Sequence, residues 1–347
     1  MEIRKLNRSR LTAFLAFGVA LVGFSACFST PGKISFERFL AANPANNFKN
    51  YHFDSSSRLI DRVAKAPDFL IRYLENMDHA EDYGAYLPSS KELDELQRYI
   101  NLLPKSYLLT LQQRLVGIYF INNYIGSGMA DFVLDSNRAI YTILIVNPET
   151  MRHGISEWLT YRENSCFMKN VTSASSIRIS VDCGSQYSAL AYVLLHETSH
   201  IMDYVHHHTP YVERVLRDSG LSKMADPFQK HVWDSLNVPV RNADFPLRED
   251  ITFYGFRNGP KIPLSQASKL YNGLMKSPFV SLYGSTDSGE DFAEYCTWWY
   301  FTTELGQPYR IILTINGKTE MMYEPMKLKY ISDRLQSLSI QLSRSGE

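Results

Sequence analysis

The sequence carries no excess of charge of either sign, because 36 Lys and Arg side chains balance 36 Asp and Glu side chains over 347 residues. It has no basic run or patch of the kind that contacts phosphates, so we do not expect nucleic acid as a partner. It also has no internal repeat and no low-complexity tract, which excludes a repeat architecture. Long apolar runs are equally rare: residues 11–24 form one, but it is shorter than the ~20 residues that a membrane-spanning helix needs.

This apolar run lies near the amino terminus and has the layout of a signal peptide, with basic residues before it and small residues after it. The residues Phe24-Ser25-Ala26-Cys27 resemble a bacterial lipobox, with Phe where Leu is usual. We therefore expect residues 1–27 to be a lipoprotein signal peptide. Lipid on Cys27 would anchor the chain in the bacterial cell envelope, on the outer membrane or the periplasmic side. Plain secretion and an uncleaved anchor are the alternatives.

Cysteine is scarce, with four in the whole chain, and three remain once the signal peptide is removed. Cys166 and Cys183 flank a polar loop and an alternating strand at residues 177–181. One prediction is therefore an envelope disulfide between them. Cys296 is expected to be a buried thiol. The alternative is that all three cysteines are unpaired.

The pentapeptide His196-Glu197-Thr198-Ser199-His200 lies in an apolar stretch, residues 189–204, that predicts a helix. Positions i and i+4 of a helix share a face, so His196 and His200 can present two imidazoles to one metal ion. Glu197 is rotated by about 100° from His196, which lets its carboxylate act as a base beside the ion without binding it. A chance coincidence of two histidines and a glutamate is the alternative. Catalytic zinc usually takes three protein ligands, so a third must come from elsewhere.

His206 is one candidate for the third ligand. It gives the spacing H-E-x-x-H-x-x-D-x-x-H, which is close to the metzincin pattern, although Asp203 stands where that pattern has glycine. The glycine allows the helix to stop and the chain to turn back toward the metal, and Asp adopts that conformation less readily. If the helix instead continues through residues 201–205, His206 points away from the metal.

Glu290 is the other candidate, in a segment where Thr286 or Ser288 could cap a helix with acidic residues in its first turn. Glu290 and Glu294 are four residues apart and share one face of an otherwise aromatic helix. Two carboxylates are costly to bury there unless a positive group receives them, and a metal ion would be such a group. The alternative is an exposed acidic first turn that interacts with the helix dipole.

Two short segments together resemble the catalytic domain of anthrax lethal factor and related gluzincin metallopeptidases. They are His196-Glu197-x-x-His200-x-x-Asp203 and Tyr283-Gly-x-Thr286-x-x-x-Glu290-x-Phe292-Ala293-Glu294. The resemblance implies Zn²⁺ as cofactor, with His196, His200 and Glu290 as its ligands. It also implies that Tyr283 faces the substrate carbonyl. The separation between the two segments is longer here than in lethal factor, which leaves the intervening architecture open.

These assignments imply a zinc metallopeptidase that acts on peptide or protein substrates. Glu197 would be the general base, and Tyr283 would stabilise the oxyanion. Asp203 and Glu294 are candidates to orient the imidazoles from a second shell, and ordinary surface acids are the alternative for both. The competing function is a non-enzymatic envelope lipoprotein with a degenerate or structural zinc site. Glu197 and Tyr283 argue against it, since a structural site needs neither.

The expected fold is α+β, mostly helical and zincin-like, with a small sheet backing the active-site helix. We divide the chain into the signal peptide (1–27), a helical N-terminal region (28–110) and a catalytic domain (111–347). Helices are predicted at 57–77, 91–103 and 327–342, with Pro104 opening another. Strands are predicted at 117–121, 139–146 and 177–181, and we expect these three to form the sheet, with an edge strand aligning the substrate. A hairpin is predicted at 311–323, with a type I′ turn at Asn316-Gly317.

Overall fold

The computed structural model describes residues 36–168, 176–209, 228–229 and 231–335, which form a mixed α/β fold with several small sheets. The predicted signal peptide, Cys27 included, lies outside these residues. The described helices are α1 (Phe36–Ala42), α2 (Asp68–Asp78), α3 (Ser90–Ile100), α4 (Lys105–Arg114), α5 (Ile155–Ser165), α6 (Ala189–His206), α7 (Ala267–Leu274) and α8 (Ser288–Trp299). The described strands are β1 (Val63–Ala64), β2 (Gly84–Tyr86), β3 (Leu115–Asn122), β4 (Gly128–Leu134), β5 (Ile140–Val146), β6 (Phe167–Met168), β7 (Ile177–Asp182), β8 (Trp233–Ser235), β9 (Val238–Pro239), β10 (Ile262–Pro263), β11 (Arg310–Ile315) and β12 (Lys318–Tyr323).

Five strands form the sheet that supports the site. β3 and β5 lie parallel at its centre, β1 and β2 both pair with β3, and β4 runs antiparallel to β5 at one edge. Nearly every residue of β3 and β5 is buried, which explains why both strands are almost continuously apolar in sequence. β1 and β2 precede residue 110, so the sheet combines strands from the predicted N-terminal region and the predicted catalytic domain.

The strand predicted at residues 177–181 exists, but the prediction of its sheet was wrong. β7 pairs antiparallel with β11, which also pairs with β12, and these three form a separate sheet. Alternation within one strand shows which face is buried but not which strand lies beside it. The predicted hairpin is confirmed as β11 and β12. Asn316 and Gly317 both have positive φ, at 50° and 77°, as a type I′ turn requires.

The helix predictions were confirmed with shifted boundaries. The helix predicted over 57–77 begins only at Asp68, because Pro67 cannot donate a backbone hydrogen bond and keeps the preceding residue extended. α3 begins after a capping box formed by Ser89 and Glu92, and α4 follows Pro104 as expected. The helix predicted over 327–342 is helical from residue 329 to residue 335, and its remainder lies outside the described residues.

The sequence patterns did not predict β4, the edge strand beside the site. Asp131 interrupts its apolar pattern, yet this side chain is buried. Its carboxylate accepts hydrogen bonds from Tyr73 Oη at 2.8 Å and from Asn46 Nδ2 at 3.3 Å. Because these donors come from distant parts of the chain, no local window around Asp131 shows that a carboxylate can be buried there.

α6 lies at the centre of the molecule. It packs against β4 and β5 on one side and contacts α3, α4, α5 and α8 around the rest of its circumference. Every residue from Ala189 to Ser199 is buried, which accounts for a helix that is apolar on all faces. The polar side chains of His196 and Glu197 in this stretch therefore need specific partners. Although α6 is apolar, no helix in the described part of the chain is long and apolar enough to cross a membrane.

Candidate metal centre

α6 carries His196 and His200 on one face and continues to His206. The residue after it, His207, adopts a left-handed conformation (φ 56°, ψ 49°) and donates its backbone N–H to the carbonyl of Asp203 at 2.7 Å. His206 Nε2 lies 2.9 Å from Thr110 Oγ1 of α4. His206 is therefore not in the cluster that His196 and His200 form with a third side chain, and the metzincin-like alternative is not supported.

α8 begins at Ser288 because Asp287 caps it. The Asp287 carboxylate accepts hydrogen bonds from the backbone N–H groups of Gly289 and Glu290, each at 3.0 Å. The prediction that Thr286 or Ser288 is the cap was therefore wrong by one position. The cap sets the first turn of α8 so that the buried side chain of Glu290 faces α6.

Three potential ligand atoms converge between α6 and α8. Glu290 Oε2 lies 3.0 Å from His196 Nε2 and 3.5 Å from His200 Nε2. The two imidazole nitrogens are 3.2 Å apart. The buried group of His196, His200 and Glu290 could therefore hold a metal ion.

The spacing of these atoms fits a small tetrahedral ion. Ligands held about 2.1 Å from one tetrahedral centre are about 3.4 Å from each other, close to the three separations observed here. Without a metal ion, the 3.2 Å separation of the two imidazole nitrogens is that of a hydrogen bond, which requires a proton on one of them. The donor set of two nitrogens and one carboxylate oxygen also suits a borderline-soft divalent ion.

The buried carboxylates favour a cation at this point. Burial opposes protonation of His196, but Glu290 and Glu294 outweigh it and raise the pKa of the imidazole to about 10. Burial likewise opposes ionisation of Glu290, yet His200 and His196 lower the pKa of this carboxyl to about 2. At Asp287, burial together with the charge of Glu290 raises the pKa to about 7.

The opposite ring nitrogen of His196 has partners of its own. Nδ1 lies 3.3 Å from Glu294 Oε1 and 3.3 Å from the hydroxyl of Tyr192. Glu294 is completely buried and also accepts a hydrogen bond from Trp298 Nε1 at 2.9 Å. Burial opposes its charge, but Arg162 and His196 hold the pKa of Glu294 well below its usual range. Glu294 therefore lies directly behind the His196 imidazole, and its predicted role in orienting a metal-binding ring stays a prediction.

Glu197 is buried between α6 and the edge strand β4. Its Oε2 atom accepts a hydrogen bond from the backbone N–H of Ala130 at 2.9 Å. This close approach requires Gly128, because a Cβ there would lie 2.6 Å from Val193 Cγ1 and 3.2 Å from Glu197 Cγ. Burial raises the pKa of Glu197, and the neighbouring His196 only partly opposes this shift.

Tyr283 lies over the same cluster. Its hydroxyl is 3.3 Å from Glu290 Oε1, the carboxylate oxygen that does not face the imidazoles, and its ring centroid is 5.6 Å from that of His196. Phe253 packs edge-on against the Tyr283 ring at 5.2 Å. Both sequence segments that resemble lethal factor therefore meet at one place.

Asp203 is buried one turn beyond His200. Its two carboxylate oxygens accept hydrogen bonds from Thr209, one from the backbone N–H at 2.6 Å and one from the hydroxyl at 2.7 Å. These contacts fasten the chain where it leaves α6. The predicted role of Asp203 in orienting an imidazole stays a prediction.

Sequence reasoning missed Arg162, a buried arginine on α5. Its guanidinium forms an ion pair with Glu294, with Nη1 and Oε1 3.4 Å apart. Burial disfavours its charge, but Tyr192 and Glu294 raise the pKa of Arg162 well above its usual value. Arg162 lies four residues after the buried Trp158, on the same face of α5, and this spacing is the signal that could have identified it.

Cys166, Cys183 and Cys296 are buried, and none of them forms a disulfide. The disulfide considered between Cys166 and Cys183 is not formed, so the alternative, three cysteines outside disulfides, describes the structure. Burial raises the pKa of Cys166 to about 12 and that of Cys183 even further. Cys166 and Cys183 therefore behave as small apolar residues of the core.

Comparison with protein-family models, curated proteins and solved structures gives no match to this chain. The likeness to lethal factor rests on its residues alone. What the geometry adds is a candidate metal centre assembled from two helices, with a carboxylate and a phenol hydroxyl beside it.

Proposed function

We propose that this protein is a zinc-dependent metallopeptidase that hydrolyses peptide bonds in the bacterial cell envelope. The observation that carries the proposal is the convergence of His196, His200 and Glu290 on one point, with Glu197 and Tyr283 beside them. A structural zinc site would need neither of the last two groups. The packing of α6 against the five-stranded sheet, together with the likeness to lethal factor, supports a zincin-like fold as part of this proposal.

Zinc is the ion that we propose for this centre. Two imidazoles and one carboxylate form a donor set used by catalytic zinc, which keeps a further position open for water or substrate. Bound zinc lowers the pKa of a water molecule toward about 7 and polarises a carbonyl group. His196, His200 and Glu290 would hold the ion, and Glu294 would fix the orientation of the His196 ring.

Glu197 is the group to which we assign proton transfer. The N–H of Ala130 fixes one of its oxygens, so the plane of the carboxylate is set before substrate arrives. Burial raises its pKa, which brings its basicity closer to that of a general base working near neutral pH. In this role Glu197 accepts a proton from the attacking water and passes it to the leaving amine.

Tyr283 is the proposed oxyanion donor, and β4 is the proposed substrate strand. The Tyr283 hydroxyl is already directed at the ligand cluster, and loss of one such donor typically costs about 2.7–4 kcal/mol of barrier stabilisation. β4 lies at an edge of the sheet, and the N–H of Ala130 points to Glu197 and not to β5. The edge from Gly128 to Ala130 therefore faces the centre, where an extended peptide could pair with it.

A lipid anchor at Cys27 would place this activity at the envelope membrane. The proposal rests on the lipobox-like residues 24–27 and on the basic and apolar residues before them. It makes peptides or proteins of the envelope the substrates, and it involves no nucleic acid.

The test separates metal binding from chemistry by means of Glu197→Gln. We expect the purified chain to bind about one zinc ion and to cleave members of a mixed peptide library. Glu197→Gln should keep its zinc and its thermal stability but lose activity by at least about 10²-fold, because an amide cannot accept the proton. Metal content, thermal melts and mass spectrometry of the library provide these measurements.

Glu320→Gln is the matched control, since Glu320 is exposed on β12. It should retain full activity. Absence of zinc from the unaltered chain would contradict the proposed metal, and full activity in Glu197→Gln would contradict the proposed base.

A further inference from the structure

A charged guanidinium lies directly behind the metal ligands. The side chain of Arg162 is only 3% exposed and that of Glu294 is completely buried. Burying an arginine carries a large desolvation cost, which is recovered only if its partners are well placed. The partners of Arg162 therefore indicate the role of its buried charge.

Two partners of Arg162 contact the rear of His196, and a third, Glu163 Oε1, lies 3.8 Å from Nη2. Arg162 Nη1 donates hydrogen bonds to the hydroxyl of Tyr192 and, at 3.4 Å, to Glu294 Oε1. These two oxygens are also the atoms that lie 3.3 Å from His196 Nδ1. The Tyr192 hydroxyl in turn donates to Glu294 Oε1, so the three groups form one closed network. Arg162 is thus separated from a metal-ligating ring by a single intervening atom.

The same guanidinium also contacts the aromatic groups of the centre. Its Cζ atom lies 4.8 Å from the centroid of the Tyr283 ring and 5.2 Å from that of Tyr192. A cation over an aromatic face is attracted to it, and the attraction is stronger where water is excluded. Arg162 therefore holds both the carboxylate behind His196 and the ring whose hydroxyl reaches Glu290.

We propose that Arg162 is the positioning residue of the metal centre: it fixes Glu294 and Tyr192 against His196, and it fixes the ring of Tyr283 above Glu290. Arg162 itself touches neither metal nor substrate. The inference rests on the proposed function insofar as His196, His200 and Glu290 bind a metal ion. It adds the source of their preorganisation, which the likeness to known peptidases does not include.

Arginine suits this position better than lysine. One planar guanidinium can donate to the Tyr192 hydroxyl and to Glu294 while its face lies over aromatic rings. A lysine ammonium can donate both hydrogen bonds, which come from Nη1 alone, but it has no planar face to lie over the two rings. Arg162→Lys should therefore retain the buried charge but only part of the positioning.

A second buried arginine provides a matched control. Arg334 forms an ion pair with Asp291, which lies on α8 next to Glu290, and Asp291 is also completely buried. Trp233 Nε1 donates to the same carboxylate at 2.8 Å. This pair joins the helical segment of residues 329–335 to α8, as the pair of Arg162 and Glu294 joins α5 to α8. Neither Arg334 nor Asp291 belongs to the ligand cluster. A purely structural role for Arg162 would make the two arginines equivalent.

The experiment measures the zinc dissociation constant of the full chain by competition with a chelator, together with the visible absorption spectrum of the Co²⁺-substituted protein. Arg162→Met and Glu294→Gln should each weaken zinc binding about 10–100-fold and change the Co²⁺ spectrum. The double variant should lose less zinc affinity than the product of the two single losses, because Arg162 and Glu294 act on the same His196 ring. Arg334→Met should lower thermal stability while its zinc affinity and Co²⁺ spectrum stay unchanged.

Wild-type zinc affinity in Arg162→Met would overturn the inference, as would multiplicative losses in the double variant or an equal loss in Arg334→Met. If Arg162→Met does not fold, Arg162→Lys replaces it, and about tenfold weaker zinc binding with a shifted Co²⁺ spectrum is expected. Failure of the unaltered chain to bind either ion would overturn the proposed function and this inference together. Normal metal binding by both the unaltered chain and Arg162→Lys would overturn only the inference.

Discussion

At the residue scale, the candidate centre depends on side chains that would be unfavourable in the core if they stood alone. Glu290 is buried, and its Oε2 atom lies within 3.5 Å of a nitrogen from each of His196 and His200. His196 and Glu290 are buried and His200 is partly buried, so each of these polar groups needs the others as partners. A metal ion would satisfy all three at once, which makes the contribution of each ligand open to direct test.

Glu290→Ala should lose most of the bound zinc, because two imidazoles alone leave the ion under-coordinated. His206→Ala should leave the metal content nearly unchanged, since His206 contacts Thr110 and not the ligand cluster. Elemental analysis of both purified variants measures the difference. If the His206 variant loses zinc and the Glu290 variant keeps it, His206 and not Glu290 is the third ligand.

Asp131 provides a pH-dependent test of the edge strand. Burial raises the pKa of this carboxyl from 3.8 to about 6, despite the hydrogen bond from Tyr73. The folded chain therefore binds this proton more tightly than the unfolded chain, and the free energy of unfolding should fall as pH rises from about 4 to above 6. Asp131→Asn, which cannot ionise, should be more stable than the unaltered chain at pH 7–8 by about 1–3 kcal/mol, with the difference disappearing near pH 4.

Urea unfolding of both chains across this pH range measures the effect, and taking the difference between them cancels any other titrating group. Asp94→Asn is the control, because Asp94 is exposed on α3. If the free energy of unfolding depends on pH in the same way in Asp131→Asn and in the unaltered chain, ionisation of the buried Asp131 does not destabilise the fold.

At the element scale, the packing of α6 on β4 and β5 determines where the Glu197 carboxylate lies. Gly128 permits the close approach: a Cβ there would lie 2.6 Å from Val193 Cγ1 and 3.0 Å from the carbonyl oxygen of Ile145. Since one of these contacts is with rigid backbone, the strand would have to move away from the helix. The position of the Ala130 N–H relative to Glu197 would then change.

Gly128→Ala should therefore destabilise the chain by about 1–3 kcal/mol, the usual cost of overpacking, and should also lower peptidase activity. Gly84→Ala is the matched control in the same sheet, because its Cβ would meet only Asn122 Cβ at an ordinary 3.9 Å. Chemical unfolding and the peptide assay on both variants test this expectation. Equal stability and activity of the two variants would show that β4 can move away from α6 without loss of stability or activity.

At the scale of the whole molecule, the anchor and the metal centre are expected to act independently. His196, the first of the proposed ligands, follows Cys27 by 169 residues (196 − 27), and several helices and strands lie between them. Within the part of the chain that the structure describes, no helix is long and apolar enough to span a membrane. Under the proposed lipid anchor at Cys27, membrane attachment would depend on the lipid.

Cys27→Ser should move the protein from the membrane fraction to the soluble envelope fraction while zinc binding is retained. The acyl chains would contribute about 0.8 kcal/mol of membrane affinity per buried CH₂, and the variant would lack them. Fractionation and metal analysis measure the two properties, with Thr30→Ala, which keeps the cysteine, as control. Membrane retention of Cys27→Ser with an intact amino terminus would identify residues 11–28 as an uncleaved anchor.

The sequence alone was sufficient for features that depend on neighbouring residues. The i and i+4 spacing of His196 and His200 places them on one face of any helix, and the apolar stretch around them predicts that helix. Asn316-Gly317 predicts its turn because both residues tolerate positive φ. In each case the determining interactions extend over only a few residues, so a short window contains the whole argument.

The sequence offered both Glu290 and His206 as the third group, and only the tertiary structure decided between them. Glu290 reaches His196 across 94 residues, and His206, much closer in sequence, is excluded because α6 does not stop before it. β4 was not predicted because its Asp131 is buried only with partners from distant elements. Arg162 was not predicted for the same reason, since its buried charge is paired with Glu294 of another helix. Local hydrogen bonding and periodicity specify the elements, whereas the burial of charge depends on what packs against them, and that is a property of the assembled core.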